Sequence, residues 1–495
     1  MRIPLKKINR ALKKRFGGRV QAVVERGVLV LRGSAEEWDG VVAAGRLAAS
    51  PKSRWYTVNE VTWPGAAQRQ PKPVPQTDES LAGRAPDVLL IGAGVTGAAI
   101  ARELMRWNVD LLWVEKEHDV ALHASSRNDG MVHPGVDLHK GTAKYHYNRL
   151  GNRMYGGVCA ALGVPFRRTG QYLCFKGRAM RRFCTLRCLI GNGWASGVRV
   201  LGDKALHAAE PGVDEALHCG LFFPQAGIVC PYGLTIAMAE NAVQNGAHLS
   251  LDTCVTGMDV ENGRILAVHT DRGTVRPRIV INAAGVFCED IAQMAQDHFS
   301  PSIRAREQMP SWTKGEAHGT HHLFRHGNYR HQDGPFQGRR HRFYGGRQRV
   351  GGARRGGNAG KEDFSTSVQS VRATFEKQRH AAPALRESDI ITYFTGVRAA
   401  TYEEDFIIRP GMFTENIIHA AGIQSPGLTA APAIAQEVAR LAYGQLSRQP
   451  RPRAMPPTTR HAGPYRMWRG CRTRRGPRSS AKTRITARSS AGARK

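Results

Sequence analysis

Apolar residues in this chain gather in short unbroken runs and in stripes of helical period. The clearest succession begins with Val88–Ile91 (VLLI), four apolar residues in a row, as in a strand covered on both faces. Gly92-x-Gly94-x-x-Gly97 follows at once, then an Ala-rich helical pattern, then a second unbroken run, Leu111–Val114, ending at Glu115. Further on, residues 145–162 carry a helical pattern and 227–245 a turn and an amphipathic helix. Strands are expected over 247–255 and 276–285, and residues 417–442 read as a strand, a Gly/Ser/Pro turn and a helix. Before the glycine motif, residues 28–31 read as a short strand, and Ser34-x-x-Glu37 offers a capping box to a following helix. In that helix Trp38, Val41, Val42, Gly45, Leu47 and Ala48 fall near one face; Pro51 ends it, and residues 55–61 form another strand. A small α/β module over residues 1–65 is thus predicted, with a Pro- and Gln-containing linker at 66–85.

The first chemistry lies between the two unbroken runs. In a strand–turn–helix–strand setting each glycine has a task. Gly92 permits the tight turn, Gly94 lets a pyrophosphate approach the backbone, and Gly97 lets the helix lie close on the strand. The helix N-terminus then faces the phosphate charge, and Glu115 is placed to accept hydrogen bonds from a ribose diol. A glycine triplet alone is often only a turn; with both strands and the acid it specifies a dinucleotide site. The stretch ASSRNDGMVHPGVD, at 124–137, is too irregular for a helix or strand and suits a loop wrapped round a cofactor. The turn at 422–429 is a second place where backbone N–H groups and a helix N-terminus could meet one.

Composition adds one complication. The 495 residues allow roughly two to four domains, and no run approaches the ~18–20 apolar residues of a membrane span. The basic N-terminus lacks the apolar core of a signal peptide, so the cytoplasm is the expected compartment. Nine cysteines include no CxxC pair. Cys184 and Cys188 share a helical face, but two thiols make a poor metal site, so reduced, mostly buried cysteines and no metal are expected. The formal net charge of +32 is uneven. Residues 1–15 hold seven Lys/Arg and no acid, 301–357 twelve against three, and 446–495 fifteen against none. Such charge attracts polyanions, but these segments lack the helical apolar period and the aromatics of a base reader, so no specific nucleic-acid partner is expected. Ile3, Leu5, Ile8, Leu12 and Phe16, interleaved with Lys and Arg, are compatible with an interfacial helix and with peripheral association at the inner face of a membrane.

Five ordered motifs now combine: GAGVTG with Glu115, SSRNDGMVH, VINAAGVF, Gly396-Val397-Arg398, and GIQSPGLT. Together they resemble the FAD-dependent oxidoreductases of the D-amino-acid-oxidase superfamily, over residues 86–300 and 360–445. The branch they resemble most holds flavin-linked glycerol-3-phosphate dehydrogenase and L-2-hydroxyglutarate oxidase. The resemblance implies an α/β fold, a Rossmann-like FAD-binding domain from residues 86–140, 240–290 and 405–445, with an α+β substrate domain from the rest of 86–445. It implies that Gly92, Gly94, Gly97 and Glu115 hold the ADP half of FAD. Ser125, Ser126, Asn128 and Gly130 would line the pyrophosphate, ribityl chain and flavin. Val255 would offer its backbone to the adenine, and Ala284 and Gly285 would lie beside the phosphates. Gly422, Ile423, Gln424, Ser425, Gly427, Leu428 and Thr429 would close over the flavin.

By the same resemblance Arg398 binds the anionic group of the substrate, phosphate or carboxylate alike, an ion pair with Glu403 or Asp405 being the alternative. His133 faces the substrate and takes the alcohol proton while the carbon passes hydride to flavin N5; a structural hydrogen-bonding role is its alternative. The preferred substrate is a small anionic alcohol, glycerol 3-phosphate, with electrons leaving FAD for a quinone or protein acceptor. L-2-hydroxyglutarate is the second candidate, and a surface-binding protein without catalysis is the third reading. The first 65 residues, through GVLVLRGSAEEW and VNEV, resemble a BON domain, a module associated with phospholipid or envelope surfaces.

Two segments depart from that family. Residues 318–357 hold six histidines, in spacings that match no standard metal-ligand pattern, where alternating strand residues are expected. Residues 446–495 hold a single cysteine, Cys471, and cannot build the iron–sulfur domain that often follows in this branch. The Arg, Gly, Ala and Pro of 301–357 and 446–495 are what a high-GC gene gives in a shifted frame. Irregular, exposed chain is therefore expected over 301–357 and an unstructured basic tail after 446, leaving FAD binding possible where turnover is impaired.

Overall fold

A computed structural model describes residues 3–49, 55–64, 77–136, 138–176, 197–297, 303–312, 322–326, 361–379 and 386–447, with scattered single residues between them. The chain opens with α1 (Leu5–Phe16), β1 (Val20–Glu25), β2 (Val28–Ser34), α2 (Trp38–Ala48) and β3 (Thr57–Thr62). β2 pairs antiparallel with β1 and parallel with β3. Ile8, Leu12 and Phe16 of α1 join Leu29, Leu31, Val41 and Ala44 in one core. That packing takes the apolar face of α1 out of reach of a lipid phase, so the expected interfacial helix is corrected to a packed helix with an exposed Lys/Arg face. The expected capping box is corrected too. Glu37 is the N-cap of α2, without a side-chain capping bond, because Ser34 is drawn into β2. Residues 78–84, read as the end of a linker, pack on the body of the protein. Leu81 is buried, its N–H donates to Arg272 O, and Arg272 pairs with Asp78 at 2.9 Å. Residues 65–76 lie outside the described residues.

The body is organised by a six-stranded sheet. β4 (Val88–Ile91), β5 (Leu111–Val114), β12 (His248–Ser250), β16 (Ile279–Asn282) and β21 (Ile417–Ala421) run parallel in the order β12-β5-β4-β16-β21. β20 (Ile407–Pro410) is the antiparallel edge. Alternate residues serve opposite faces. Val88, Leu90, Leu111, Trp113, Ile279 and Ile281 join a core with α3 (Val95–Leu104), α6 (Pro231–Gln244) and α9 (Gly427–Ser447). Leu89, Ile91, Leu112, Val114 and Val280 face the antiparallel sheet of β13 (Val255–Glu261), β14 (Arg264–Thr270) and β15 (Gly273–Val275). Each fully buried Leu or Ile contributes about 1.5–3 kcal/mol, which is why these strands carry no polar alternation.

The second lobe holds β8 (Gln171–Phe175), β9 (Arg199–Gly202), β10 (Cys219–Phe223) and β18 (His322–His326) in the order β18-β8-β10-β9. α5 (Asp203–Ala209) packs beside it through Leu206. β6 (Met131–Val132), β11 (Gly227–Val229) and β7 (Phe166–Arg167) form a small sheet beneath α4 (Ala143–Leu162). α7 (Cys288–Met294) follows β16, and α8 (Val368–Arg379) precedes β19 (Ile390–Ala400). β17 (Ile303–Trp312) pairs antiparallel with β19, from Ile303 opposite Ala400. Irregular chain was expected at 303–312 and at 322–326, where β18 pairs parallel with β8. The β17 ladder forms because its bonds are backbone bonds and β19 supplies a long template, which side-chain periodicity does not reveal. Residues 313–321 and 327–360, with His318, His321, His331 and His341, and residues 448–495 lie outside the described residues.

Candidate active site

The carboxyl ends of β4, β5, β16 and β21 meet at one edge, where open α/β sheets receive their ligands. Gly92 turns there at φ 101°, and a Cβ on it would lie 2.6 Å from Ala283 O. A Cβ on Gly97 would lie 1.9 Å from Gly92 O, so α3 rests directly on the turn. Gly94 differs: its Cβ would meet only Ser125 Oγ, at 2.9 Å, which leaves space at the helix N-terminus. Two N–H groups of this turn hold acceptor oxygens, Ala93 N–H to Glu115 Oε2 at 2.6 Å and Val95 N–H to Ser125 Oγ at 2.8 Å. Glu115 Oε1 accepts from Glu117 N–H at 3.0 Å. Burial pushes the Glu115 carboxyl up in pKa, and these N–H bonds oppose the shift. Ser250 and Thr253 bond the Glu115 backbone, just before buried Val255 begins β13. A donor-rich turn with space at Gly94 and an acid beyond it fits the pyrophosphate and ribose of FAD.

Ala284 follows β16 with its Cα 3.0 Å from where a Gly92 Cβ would lie, which brings the VINAAG motif against the first glycine; Gly285 comes next at φ 58°. The 124–130 loop is folded by its own polar groups. Asn128 Nδ2 donates to Ser125 O at 2.8 Å, and its Oδ1 accepts from Gly130 N–H at 3.0 Å. Ser126 Oγ donates to His123 O at 3.3 Å. These two side chains shape the loop. Gly130, at φ 69°, packs on Val229 O and leads through β6 to His133.

His133 is held from three sides. Its N–H donates to Thr429 Oγ1 at 2.8 Å, its carbonyl accepts from Asn152 Nδ2 at 2.9 Å, and its Nε2 lies 3.3 Å from Ser425 Oγ. The loop motif and the 422–429 turn, distant in sequence, therefore meet at one imidazole. Within that turn Gln424 N–H donates to Gly422 O at 3.1 Å and Gly427 N–H to Gln424 O at 2.6 Å. Ile423 and Leu428 pack into the main core. Arg398 is half-buried on β19. Two residues before it, on the same strand face, a Cβ on Gly396 would come within 3.0 Å of Arg127 O in the cofactor loop. Asp405, one acid weighed as a partner for Arg398, instead caps α4 by accepting from Ala143 and Lys144 N–H, both at 2.9 Å. Glu403 gives Oε1 to Thr57 N–H at 3.1 Å.

Several supporting residues were not singled out from the sequence. Asn152 also donates to Gln225 O at 3.0 Å, and its Oδ1 accepts from Arg168 Nη1 at 3.0 Å. Two asparagines four apart, Asn148 and Asn152, buried on one helical face, were the available signal. Beneath the sheet, Asn282 Nδ2 lies 3.2 Å from His419 Nδ1, and His419 Nε2 lies 2.7 Å from Asp297 Oδ2. Burial lowers the pKa of His419 and leaves it neutral. Burial alone would raise that of Asp297, but bonds from His419 and Phe413 N–H bring it below the ordinary value. Beyond Glu115, Glu117, His123 and Glu362 put ligand-type atoms within 4.8 Å of one another. Lys116 Nζ bonds both Glu117 and Glu362 there, so this is an ion-pair cluster that pins residue 362 to the cofactor side. Among the described residues, no helix is long and apolar enough to cross a membrane.

The chain is similar in sequence and fold to known proteins. The family described as FAD dependent oxidoreductase, DAO, matches residues 87–441. Glycerol 3-phosphate dehydrogenase of Caloramator mitchellensis is 30% identical over 369 residues, 70% of this chain and 72% of that protein. Glycerol 3-phosphate oxidase of Mycoplasma pneumoniae is 29% identical over 382 residues, 74% of this chain and 96% of that one. L-2-hydroxyglutarate dehydrogenase of Indibacter alkaliphilus is 26% identical over 214 residues, 42% of this chain and 52% of its own. The solved structure of L-alpha-glycerophosphate oxidase from Mycoplasma pneumoniae with FAD bound shares the fold, with a TM-score of 0.62 at 24% identity over 73% of this chain and 95% of that chain. The match begins at residue 87, so the likeness of the N-terminal module to a BON domain stays a reading of its sequence.

Proposed function

We propose that this chain, which belongs to the DAO family of FAD-dependent oxidoreductases, oxidises glycerol 3-phosphate to dihydroxyacetone phosphate. The observation that carries the reading is His133 Nε2 at 3.3 Å from Ser425 Oγ, beside the loop that β19 approaches at Gly396. Bound FAD supplies the hydride acceptor. His133 takes the proton from the substrate hydroxyl, a task suited to an imidazole, whose ring nitrogen can accept it. Thr429, Asn152 and Ser425 hold its backbone and ring, so little orientation is lost on reaching the reactive geometry. Arg398 binds the phosphate through parallel N–H bonds. Glu115 and the N-terminus of α3 would hold the ribose and the pyrophosphate of FAD.

Electrons leave for a quinone or protein acceptor. Lys6, Lys7, Arg10, Lys13, Lys14 and Arg15 form an exposed basic face on α1, which suits electrostatic attachment to an anionic membrane surface without insertion. L-2-hydroxyglutarate is the second reading, because a carboxylate satisfies Arg398 equally and dehydrogenases of that substrate are among the relatives. Turnover of both with an artificial electron acceptor separates the two. A kcat/KM for glycerol 3-phosphate about 100-fold above that for L-2-hydroxyglutarate is expected; the reverse order would reassign the substrate.

A further inference from the structure

The N-terminal module meets the oxidoreductase body at several places, and the one nearest the candidate site is Tyr402, four residues beyond Arg398. Tyr402 is buried, and a Cβ on Gly45 of α2 would lie 2.1 Å from its ring atoms Cε1 and Cζ. Ala49, Ala400 and Val42 complete its surroundings. Asn59 Nδ2 of β3 donates to Tyr402 Oη at 2.7 Å and to Val41 O at 2.8 Å. On one side Thr57 N–H donates to Glu403, and on the other the Arg409 guanidinium lies 4.6 Å from the centre of the Tyr56 ring.

The turn around Tyr402 reaches three parts of the candidate site. β19, which carries Arg398, ends two residues before it. The Thr401 methyl Cγ2 lies 2.6 Å from where a Cβ on Gly422 would be, at the start of the turn that meets His133. Thr401 Oγ1 donates to Asp405 O at 3.0 Å and accepts from Asp405 N–H at 3.2 Å. Asp405 in turn caps α4, whose Asn152 holds the His133 carbonyl.

We propose that Tyr402 is a positioning residue and the N-terminal module a working part of the oxidation site. The grip of Gly45 and Asn59 on Tyr402 sets Arg398, the 422–429 turn and α4 relative to one another. This inference rests on Arg398 as the site of the substrate's anionic group.

The test uses the full chain loaded with FAD. Gly45→Ala drives a methyl into the Tyr402 ring, while alanine is the better helix former, so α2 itself is not weakened. Tyr402→Phe keeps the ring and loses only the bond to Asn59. Gly45→Ala is expected to raise KM for glycerol 3-phosphate about tenfold with a smaller change in kcat, and Tyr402→Phe to raise it about two- to threefold. The visible circular dichroism of the bound flavin should change in Gly45→Ala at full FAD content. Combined with Arg398→Lys, Gly45→Ala should depart from multiplicative behaviour by at least about threefold. Unchanged KM and flavin dichroism in Gly45→Ala, with multiplicative effects in the combination, would overturn the proposal. If glycerol 3-phosphate does not reduce the wild-type flavin, the substrate reading fails, and the flavin dichroism of the variants still reports on the grip.

Discussion

Adding one methyl group to Gly97 puts a carbon 1.9 Å from the carbonyl oxygen of Gly92 and 3.0 Å from its carbon. Neither atom can swing aside. Gly92 is fixed in a turn at φ 101°, and its oxygen already accepts from Trp113 Nε1 at 3.0 Å. The start of α3 must therefore retreat by roughly 1.5 Å to restore ordinary contact. Overpacking of this kind costs about 1–3 kcal/mol of stability. The retreat also carries the N-terminus of α3 away from the pyrophosphate. A hydrogen bond to a charged partner contributes about 1.5–3 kcal/mol, so losing one lowers FAD affinity roughly ten- to a hundredfold. Gly94→Ala is the control. Its Cβ meets only a rotatable hydroxyl, so stability should hardly change while affinity falls through lost space. Titration of the apoprotein with FAD, followed by flavin fluorescence, and thermal unfolding without FAD measure the two effects separately. Gly97→Ala binding FAD within about threefold of wild type would refute the placement of the pyrophosphate at this turn.

Four further outcomes are expected. His133→Gln should lower kcat by about 10²–10⁴ with FAD content unchanged, and a kcat within about tenfold of wild type would leave His133 a structural role only. Arg398→Ala should raise KM for glycerol 3-phosphate roughly ten- to a hundredfold, with Arg398→Lys recovering charge but not the forked geometry; steady-state kinetics decide. Asn152→Leu removes one hydrogen bond each from the His133 carbonyl, the Gln225 carbonyl and Arg168, which keep Asn148, Arg168 and the residue-152 carbonyl as second partners, so urea unfolding should show a loss of about 1–3 kcal/mol. Burial keeps the pKa of His419 below its ordinary value, so the unfolded chain protonates first below about pH 6.5 and stability declines there. Asp297 sits below the ordinary carboxylate value despite its burial; its contribution is present above about pH 4 and lost as pH falls through its folded value. Denaturation midpoints should therefore drop between pH 7 and 5, and His419→Gln should flatten that drop.

How much of this was legible in the sequence differs by element. The parallel sheet was, because burial on both faces leaves runs such as VLLI and LLWV that no half-exposed strand shows. The glycine turn was legible because Gly92 and Gly97 have no room for a side chain. The bonds by which Asn128 and Ser126 fold the 124–130 loop were not legible, because residue type alone does not say which backbone groups a side chain will reach. The Asp297–His419 pair left no motif, since its members come from distant elements and pair only in the folded core. β17 was missed because a ladder depends on backbone bonds and a partner strand, and charge and composition at 301–357 pointed elsewhere. Docking of the N-terminal module through Gly45 and Tyr402 likewise has no local signature.

The most direct test is to follow the visible spectrum of the purified protein without oxygen. It should carry the absorbance of oxidised flavin, and stoichiometric glycerol 3-phosphate should bleach that absorbance and yield dihydroxyacetone phosphate. A preparation that binds no FAD when the cofactor is supplied, or a bound flavin that stays oxidised under excess glycerol 3-phosphate, would contradict the account.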